Sequence, residues 1–404
     1  MTTTSIGWLL DVSIECDKAA IWIKTTDRKI LKLTDSYHPS FYLLPNNESD
    51  GLQLLQVLTQ QHIVKKVSWE EDKFTNLFDY SSKKKLIHIV PESMQYYMLL
   101  LKKLEKDRRV KQLFNVDLSH IQQYLFNRLR IEPTSKVEVQ YNGSKLAGIS
   151  KLDDEKKVFQ PPFSLMHFSV QTVSGKFRPD DPVSIIKVRY EDEDCWFQNN
   201  EEKNIFEGFC KYVCSKDPDI IVCAGNTVLQ YLFTKAQKLG LGLQLGREEE
   251  DVENDPKFLI AGRIPIGNSD GISRYSAFDD FGLAGLIERS RFAFLPLALA
   301  AKYSMNRLID SRNCYELIQR GFVIPRGVSN SDNTHEHIKT VEELVSRDKG
   351  SMIISPQIGL HENIVVLDYD SEYANLIVNH NLSYETVTSD GKVDKQQKKG
   401  CCQS

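Results

Sequence analysis

The residues best suited to metal or phosphate chemistry lie in one short stretch, IVVLDYDSEY, at 364–373. Its first four residues are apolar, and the run is short and β-branched enough for a buried strand that ends at Asp368. A buried strand can carry a carboxylate only at its end, where water, a metal ion or hydrogen bonds meet the charge. Asp370 and Ser371 then offer N-cap side chains. A strand, an acid, a cap and a helix in this order could hold a divalent cation against a phosphate.

The helix that follows is predicted from its apolar spacing. Tyr373, Leu376, Ile377 and His380 stand at i, i+3, i+4 and i+7, which places them on one helical face. Without the flanking sequence, a buried strand with an ordinary capping acid would be the better interpretation. The flanks therefore decide between a structural acid and a functional one.

The stretch resembles motif A of the family B DNA polymerases, Asp-x-x-Ser-Leu-Tyr-Pro-Ser, in the spacing from Asp368 to Ser371 and Tyr373. The approach, GSMIISPQIGLHENIVVLD, and the exit, NHNLSYETV, are similar to those of the archaeal-type members. The resemblance extends over about forty consecutive residues and is more specific than a three-letter pattern. We interpret the chain as the N-terminal portion of an archaeal-type family B DNA polymerase.

The resemblance implies that Asp368 is a catalytic palm carboxylate and a ligand of Mg²⁺, in a two-metal site to which this chain supplies one ligand. Such metals lower the pKa of the primer 3′-hydroxyl and neutralise charge on the triphosphate. The residues implied in nucleotide binding are Tyr369, Asp370, Ser371, Glu372 and Tyr373. Tyr373 matches the residue that lies beneath the incoming sugar and excludes a 2′-hydroxyl. Glu372 replaces the usual Leu, and Asp370 adds a carboxylate near the triphosphate, so the sequence departs from a competent site.

A family B polymerase also needs a fingers helix with a Lys and a second palm motif, Asp-Thr-Asp, and neither occurs in this sequence. One palm Asp cannot hold two metal ions, so the chain alone is not expected to polymerise DNA. Three interpretations follow. The chain is the N-terminal subunit of a split polymerase, completed by a second subunit with fingers, remaining palm and thumb; or an inactive paralogue that acts as a DNA-binding or replisome scaffold; or an unrelated α/β binding protein. The first two imply DNA template-primer as a partner, with a deoxynucleoside triphosphate and a sliding clamp for the polymerase.

The region 156–325 resembles the ribonuclease-H-like 3′→5′ proofreading domain of the same family. Its patterns predict strands at 164–171, 183–189 and 219–223 and helices at 204–214 and 227–239. A proofreading nuclease of this kind needs four acids to hold two metals that clamp the phosphodiester. The question is whether those acids are present.

The acids that such a nuclease needs are largely replaced in this sequence. The first motif, Asp-x-Glu-Thr, has Ser169 and Gln171 at its acidic positions, and no acid stands near Val228, where the second motif is expected. Asp279 and Asp280 could represent the remaining motif, but they cannot hold two metals alone. We predict an inactive exonuclease domain that is kept as a scaffold.

DNA contacts are predicted in two further places. Residues 83–157 hold 16 Lys and Arg against 9 Asp and Glu, a balance typical of phosphate binding, although a solvated helix face explains any single charge. The aromatic residues interleaved with them, and predicted as stacking platforms for single-stranded nucleic acid, are Tyr96, Tyr97, Phe114, Tyr124 and Phe126. Gly350 and Ser351 match a small-residue element that lets the family's backbone approach the template, and a tight turn explains them equally well.

Composition sets the frame for these assignments. A hydrophobic fraction of 41% and a charged fraction of 26% are those of a globular protein, and the net charge of −4 argues against coating nucleic acid by bulk charge. No apolar run is long enough for a membrane span, so a cytoplasmic, nucleoid-associated protein is expected. The predicted fold is α/β multidomain: a mixed-strand N-terminal DNA-binding domain (1–155), a ribonuclease-H-like exonuclease-type domain (156–325) and a partial polymerase palm with motif A (326–404).

Overall fold

The computed structural model describes residues 2–15, 17–75, 83–152, 160–223, 226–248, 260–267, 277–327, 355, 357–382 and 386. The chain divides into two compact units. Unit 1 comprises Met1–Lys73 and Lys85–Pro325, and unit 2 comprises Phe74–Lys84 and Arg326–Ser404. One boundary between the units falls between Pro325 and Arg326. The domain bounds 1–155, 156–325 and 326–404 stay predictions.

The elements are mixed α and β throughout the described residues. The strands are β1 (Thr3–Glu15), β2 (Lys18–Thr25), β3 (Ile30–Ser36), β4 (Phe41–Pro45), β5 (Val64–Phe74), β6 (Lys83–Pro91), β7 (Val110–Phe114), β8 (Lys136–Asn142), β9 (Lys145–Lys151), β10 (Leu165–Thr172), β11 (Val183–Tyr190), β12 (Glu193–Phe197), β13 (Ile220–Cys223) and β14 (Ile264–Gly267). The helices are α1 (Glu48–Thr59), α2 (Met94–Leu104), α3 (His120–Gln123, continued by a π-helix at Tyr124–Leu129), α4 (Glu202–Lys216), α5 (Asn226–Lys238), α6 (Ala277–Ala293), α7 (Leu297–Lys302), α8 (Met305–Gln319) and α9 (Glu372–His380). No described helix has the length and apolarity that crossing a membrane requires.

The first strands close into a barrel of order β1-β2-β3-β9-β8. Its core includes Leu9, Ile21 and Ile23 from the strands and Tyr124 and Phe126 from the π-helix. The strands expected in the mixed-strand N-terminal region are present here as β1, β2 and β3. Alternating or continuous apolar patterns predicted them because strand side chains alternate between two faces.

A four-stranded sheet of order β5-β6-β4-β7 packs with α1 and α2. Of the predicted stacking aromatics, four are buried at 2% exposure or less: Tyr97, Phe114, Tyr124 and Phe126. The stacking prediction is therefore wrong for these four. Charged neighbours at helical or strand spacing face solvent, and the same spacing turns the aromatic rings inward. The phosphate-binding role of the lysines and arginines in this region stays a prediction.

A five-stranded sheet of order β12-β11-β10-β13-β14 forms the second half of unit 1. β10 pairs antiparallel with β11 and parallel with β13, so the sheet is mixed. The predicted strands and helices of this region are confirmed, and β12 was not predicted. Helices α4 and α5 bury one face of β10 and β11 through residues such as Phe168, Phe209 and Leu229. On the other face α6 and α7 pack over β13 and β14.

The barrel and the five-stranded sheet share a buried ionic centre. Asp219, fully buried just before β13, accepts hydrogen bonds from the Ser164 backbone at 2.9 Å and the Ser164 hydroxyl at 3.1 Å. It also pairs with Lys24 of β2 at 3.1 Å and with Arg247 at 2.9 Å. Next to it, Gly262 packs against the Trp22 ring so closely that a Cβ would lie 2.7 Å from ring carbon. Charge pairing and close packing together fix these two sheets in one unit.

In unit 2 the segment before Asp368 differs from the prediction. Residues 364–367 form no strand, and their side chains are 66–89% exposed, so the prediction of a buried strand is wrong for this structure. A strand needs neighbouring backbone to satisfy its N–H and C=O groups, and the described residues supply none to this segment. The apolar pattern is present, but no described residue pairs with it.

Candidate functional site

The motif A segment runs from an extended approach into a turn and a helix. Asp368 is exposed and lies in the extended part, and residues 370 and 371 form the turn before α9. Tyr369 and Tyr373 are 82% and 79% exposed. The structure thus presents the carboxylate and both aromatic rings at the surface of this segment, where a ligand can reach them.

The turn is held by backbone and side-chain hydrogen bonds. Ser371 occupies the N-cap position of α9 with φ 51°, a left-handed conformation, and makes no side-chain capping bond. The prediction that a side chain at Asp370 or Ser371 caps this helix is therefore wrong. Instead Asn375 donates from Nδ2 to the Asp370 carbonyl oxygen at 3.0 Å, and its backbone N–H donates to the Ser371 carbonyl oxygen at 2.9 Å.

The predicted helical face is confirmed as a helix and remains uncovered. α9 contains Tyr373, Leu376, Ile377 and His380, and its described residues are all exposed. Leu376 and Ile377 are 44% and 36% exposed. An amphipathic helix gains most of its stability by packing its apolar face. The helix is therefore formed here without its usual packing partner.

The donor set fits a hard cation in kind but not in number. Carboxylate oxygens such as those of Asp368 and Asp370 suit Mg²⁺. Among the described residues, however, no group of three or more His, Cys, Asp or Glu side chains could hold a metal ion. The described part of this chain does not build a two-metal site.

The predicted exonuclease positions lie on different sides of the five-stranded sheet. Ser169 and Gln171 alternate with the buried Phe168 and Val170 along β10 and face away from α4 and α5. Val228 belongs to the core on the α4 and α5 side and is 3% exposed. A core position in α5 cannot present a ligand to the outward face, so Val228 itself lies apart from Ser169 and Gln171. The assignment of these three positions to a degenerate exonuclease site stays a prediction.

The remaining predicted positions cannot be compared with the structure in the same way. Gly350 and Ser351 lie outside the described residues, and Asp279 and Asp280 are placed in α6 by their backbone only. Their roles stay predictions.

The outward face of β10, β11 and β12 forms an open cleft of about 530 Å³ that sequence reasoning missed. Its lining residues are His167, Phe168, Ser169, Lys187, Val188, Arg189, Asp194 and Trp196. Trp196 is 63% exposed. Lys187 and Arg189 stand two apart in a predicted strand, a signal for a basic outward face. Trp196 lies in β12, and without that strand the pattern is incomplete.

The motif A segment and the rest of the chain are both similar to DNA polymerases of family B. A model of DNA polymerase family B matches residues 303–403. A DNA polymerase of Archaeoglobus fulgidus is 21% identical over 446 residues, covering 94% of this chain and 54% of the relative. DNA polymerase 2 of Saccharolobus solfataricus is 32% identical over 103 residues, covering 26% of this chain and 16% of the relative. The family B DNA polymerase of Pyrobaculum calidifontis has a similar fold, with a TM-score of 0.74 and 18% identity over 97% of this chain and 59% of that one.

The resemblance to archaeal family B DNA polymerases is thus confirmed, and the interpretation as an unrelated α/β protein is wrong. The chain is a family B DNA polymerase-like protein with a mixed α/β fold. It spans about half the length of the curated relatives that it matches over most of its own length. Family B DNA polymerases use divalent metal ions, and the Mg²⁺ site at Asp368 stays a prediction for this chain.

Proposed function

We propose that this chain is the N-terminal part of a DNA-directed DNA polymerase, with Asp368 as one carboxylate of the nucleotidyl-transfer site. The observation that carries the proposal is the position of Asp368. It stands on an exposed segment directly before a turn and α9, inside the region that matches the family model. Residues 369–373 would then bind the deoxynucleoside triphosphate, and Tyr373 would lie against its sugar.

The second carboxylate and the triphosphate-binding Lys would come from a second polypeptide that carries fingers, remaining palm and thumb. Two features of unit 2 support this. The apolar side chains at 364–367 are exposed, and so is the apolar face of α9. A neighbouring palm strand would pair with the first and cover the second. When bound, the two metals would activate the primer hydroxyl and neutralise the triphosphate, and Asp368 would hold one edge of that site.

Primer extension tests the proposal. The complementing polypeptide is identified as the product of a neighbouring reading frame that carries the fingers Lys and an Asp-Thr-Asp. The chain alone should extend no primer with Mg²⁺, and the mixture should extend it. Asp368→Ala should reduce the extension rate by more than about 100-fold, beyond the 10- to 100-fold that loss of an outer-shell partner costs. Glu362→Ala, at an exposed acid six residues before Asp368, is the matched control and should leave the extension rate unchanged. Extension that survives Asp368→Ala would refute the metal assignment.

A second function is supported by a different observation. Neutral side chains occupy the outward positions 169 and 171, and the described residues offer no metal-binding group. An inactive polymerase paralogue that binds DNA as a replisome scaffold, with or without a sliding clamp, accounts for both. It predicts no 3′→5′ degradation of single-stranded DNA in Mg²⁺ or Mn²⁺, and no extension with any complementing chain. Degradation that persists in a repurified sample would contradict it.

A further inference from the structure

The outward face of β10, β11 and β12 combines positive charge, an exposed indole and an open cleft on one rigid sheet. Strand register fixes the arrangement in two rows. Lys187 of β11 stands between Ser169 of β10 and Trp196 of β12. One row along, Arg189 stands between His167 and Asp194. Neighbouring strands are about 4.8 Å apart, so each row spans the width of one nucleotide unit.

The charges of the cleft favour an anion. Lys187 and Arg189 contribute two positive charges against the one negative charge of Asp194. The Arg189–Asp194 ion pair uses only Nε, at 3.0 Å, and both side chains are more than half exposed. Exposed pairs of this kind contribute little and are easily exchanged. Burial, together with the positive charge of Arg189, lowers the pKa of His167, so the ring is neutral at pH 7 and can accept or donate a hydrogen bond.

Trp196 distinguishes this face from an ordinary solvated sheet. It is the exposed tryptophan among the described residues, with Trp22 buried and Trp8 and Trp69 half-buried. An indole beside a lysine and an arginine provides a stacking surface next to phosphate-binding groups. Proteins that bind single-stranded nucleic acid without sequence preference use this combination, often on the open face of a sheet. A protein partner with an acidic surface could bind the lysine and the arginine without the indole. The indole beside a cleft of about 530 Å³ therefore favours a nucleotide as the ligand.

We infer that this cleft binds one nucleotide unit, with the base stacked on Trp196 and the phosphate held by Lys187 and Arg189. A single-stranded oligonucleotide and a free nucleotide both carry the base and the phosphate that this cleft would bind. The site involves neither Asp368 nor any other residue of unit 2, so it stands or falls separately from the proposed polymerase function. The proposal is one of binding and involves no covalent step.

The fluorescence of Trp196 provides a local test on the full chain. Oligothymidylate of roughly ten nucleotides, within the length that such sites cover, should quench tryptophan emission on titration. The quenching should disappear in Trp196→Phe, which identifies the cleft as its source. Thymidine monophosphate and triphosphate, titrated separately, show which source of the nucleotide is bound: quenching by the oligomer alone identifies a strand, and quenching by a monomer identifies a free nucleotide.

Charge reversal tests the phosphate contacts. Lys187→Glu combined with Arg189→Glu should weaken the quenching affinity by on the order of tenfold or more per cation lost, as charge-assisted bonds require. The salt dependence should flatten by about 0.7 per contact in the logarithmic slope. Lys211→Glu, an exposed lysine of α4 on the other side of the sheet, is the matched control and should change neither.

The inference fails if neither oligomer nor monomer quenches Trp196. It also fails if the quenching is retained in Trp196→Phe, or if Lys211→Glu weakens it as much as the double variant. Concentration-dependent quenching without nucleotide would instead identify a protein interface and would overturn the proposal. Asp368→Ala should leave the titration unchanged, so a failed polymerase assay and a failed cleft are distinguishable.

Discussion

The five-stranded sheet and the motif A segment differ in opposite directions in two properties: how well they are packed and which of the expected site residues they keep. The sheet has a packed core on each side and is open on the outward face of β10 to β12, yet the acidic positions of a nuclease are occupied by Ser169 and Gln171. The motif A segment keeps Asp368 and Tyr373 but exposes its apolar residues. The sheet has the packing without the acids of the nuclease motif, and the segment has the residues of motif A without the packing. Packing and chemistry are therefore specified by different residues of a sequence and can be lost or kept separately.

The largest difference between the two regions should appear when the buried ionic centre of the sheet is broken. Asp219→Ala removes the ion-pair partner of the buried Lys24 and leaves that charge uncompensated, whereas Arg247 keeps its second partner, Asp217, at 2.7 Å. Loss of one partner of a buried pair costs roughly 3–5 kcal/mol. Urea unfolding should show that loss in unit 1. Asp368→Ala, at an exposed carboxylate, is the control and should change the free energy of unfolding by less than about 0.5 kcal/mol. Equal effects would mean that Asp219 is not an organising charge.

A smaller effect follows from desolvation in the packed unit. Burial raises the pKa of the Asp11 carboxyl to about 6, although a hydrogen bond from the Val12 backbone opposes the shift and part of the residue reaches solvent. A pKa raised by folding favours the native state at low pH, and that contribution is lost as the pH rises from about 4 through about 6. Asp11→Asn should therefore match the wild type near pH 4 and exceed its stability at pH 7 by on the order of 1 kcal/mol.

Urea unfolding between pH 4 and pH 7 measures whether the stability difference of Asp11→Asn grows with pH. Asp27 is expected to show the opposite pH dependence, because its pKa is lowered by folding. A hydrogen bond from Thr25, followed by one from Lys29, lowers the pKa of Asp27 to about 2. Its contribution is present above pH 4 and is lost as the pH falls, so Asp27→Asn should be the less stable variant at pH 7. If the Asp11→Asn difference were larger at pH 4 than at pH 7, desolvation of Asp11 would be ruled out.

The smallest effect is expected in α9. Leu376→Ala removes a side chain that is 44% exposed and replaces it with a better helix former, so the unfolding free energy should change by less than about 0.5 kcal/mol. Leu229→Ala is the matched variant in α5, where the side chain is fully buried, and should cost about 2–5 kcal/mol. A similar cost for both leucines would show that α9 is packed in the chain as it folds alone.

Much of the fold could be predicted from local pattern. Apolar spacing predicts the first strands of the barrel, the strands and helices between 164 and 239, and the helix after Ser371. It does so because the period of the apolar residues matches the period of the strand or helix. β12 could not be predicted, because the sequence EDCWF is short and places two acids before Cys, Trp and Phe, without the alternation typical of a strand. The stacking role of Tyr97 and Phe126 was wrong because interleaved charges show only that a ring has polar neighbours in sequence. Which way the ring points is set by the packing of α2 and the π-helix.

The sequence by itself determined the class of the protein and the position of Asp368, because a motif and its flanks are read residue by residue. It also determined that acids are missing at 169 and 171. Only the tertiary structure decided that Val228 lies in a core apart from Ser169 and that residues 364–367 remain exposed. It also joined Lys187, Arg189 and Trp196 in one cleft. The reason is physical: a strand or helix can be encoded locally, but burial and proximity depend on which other elements fold against it.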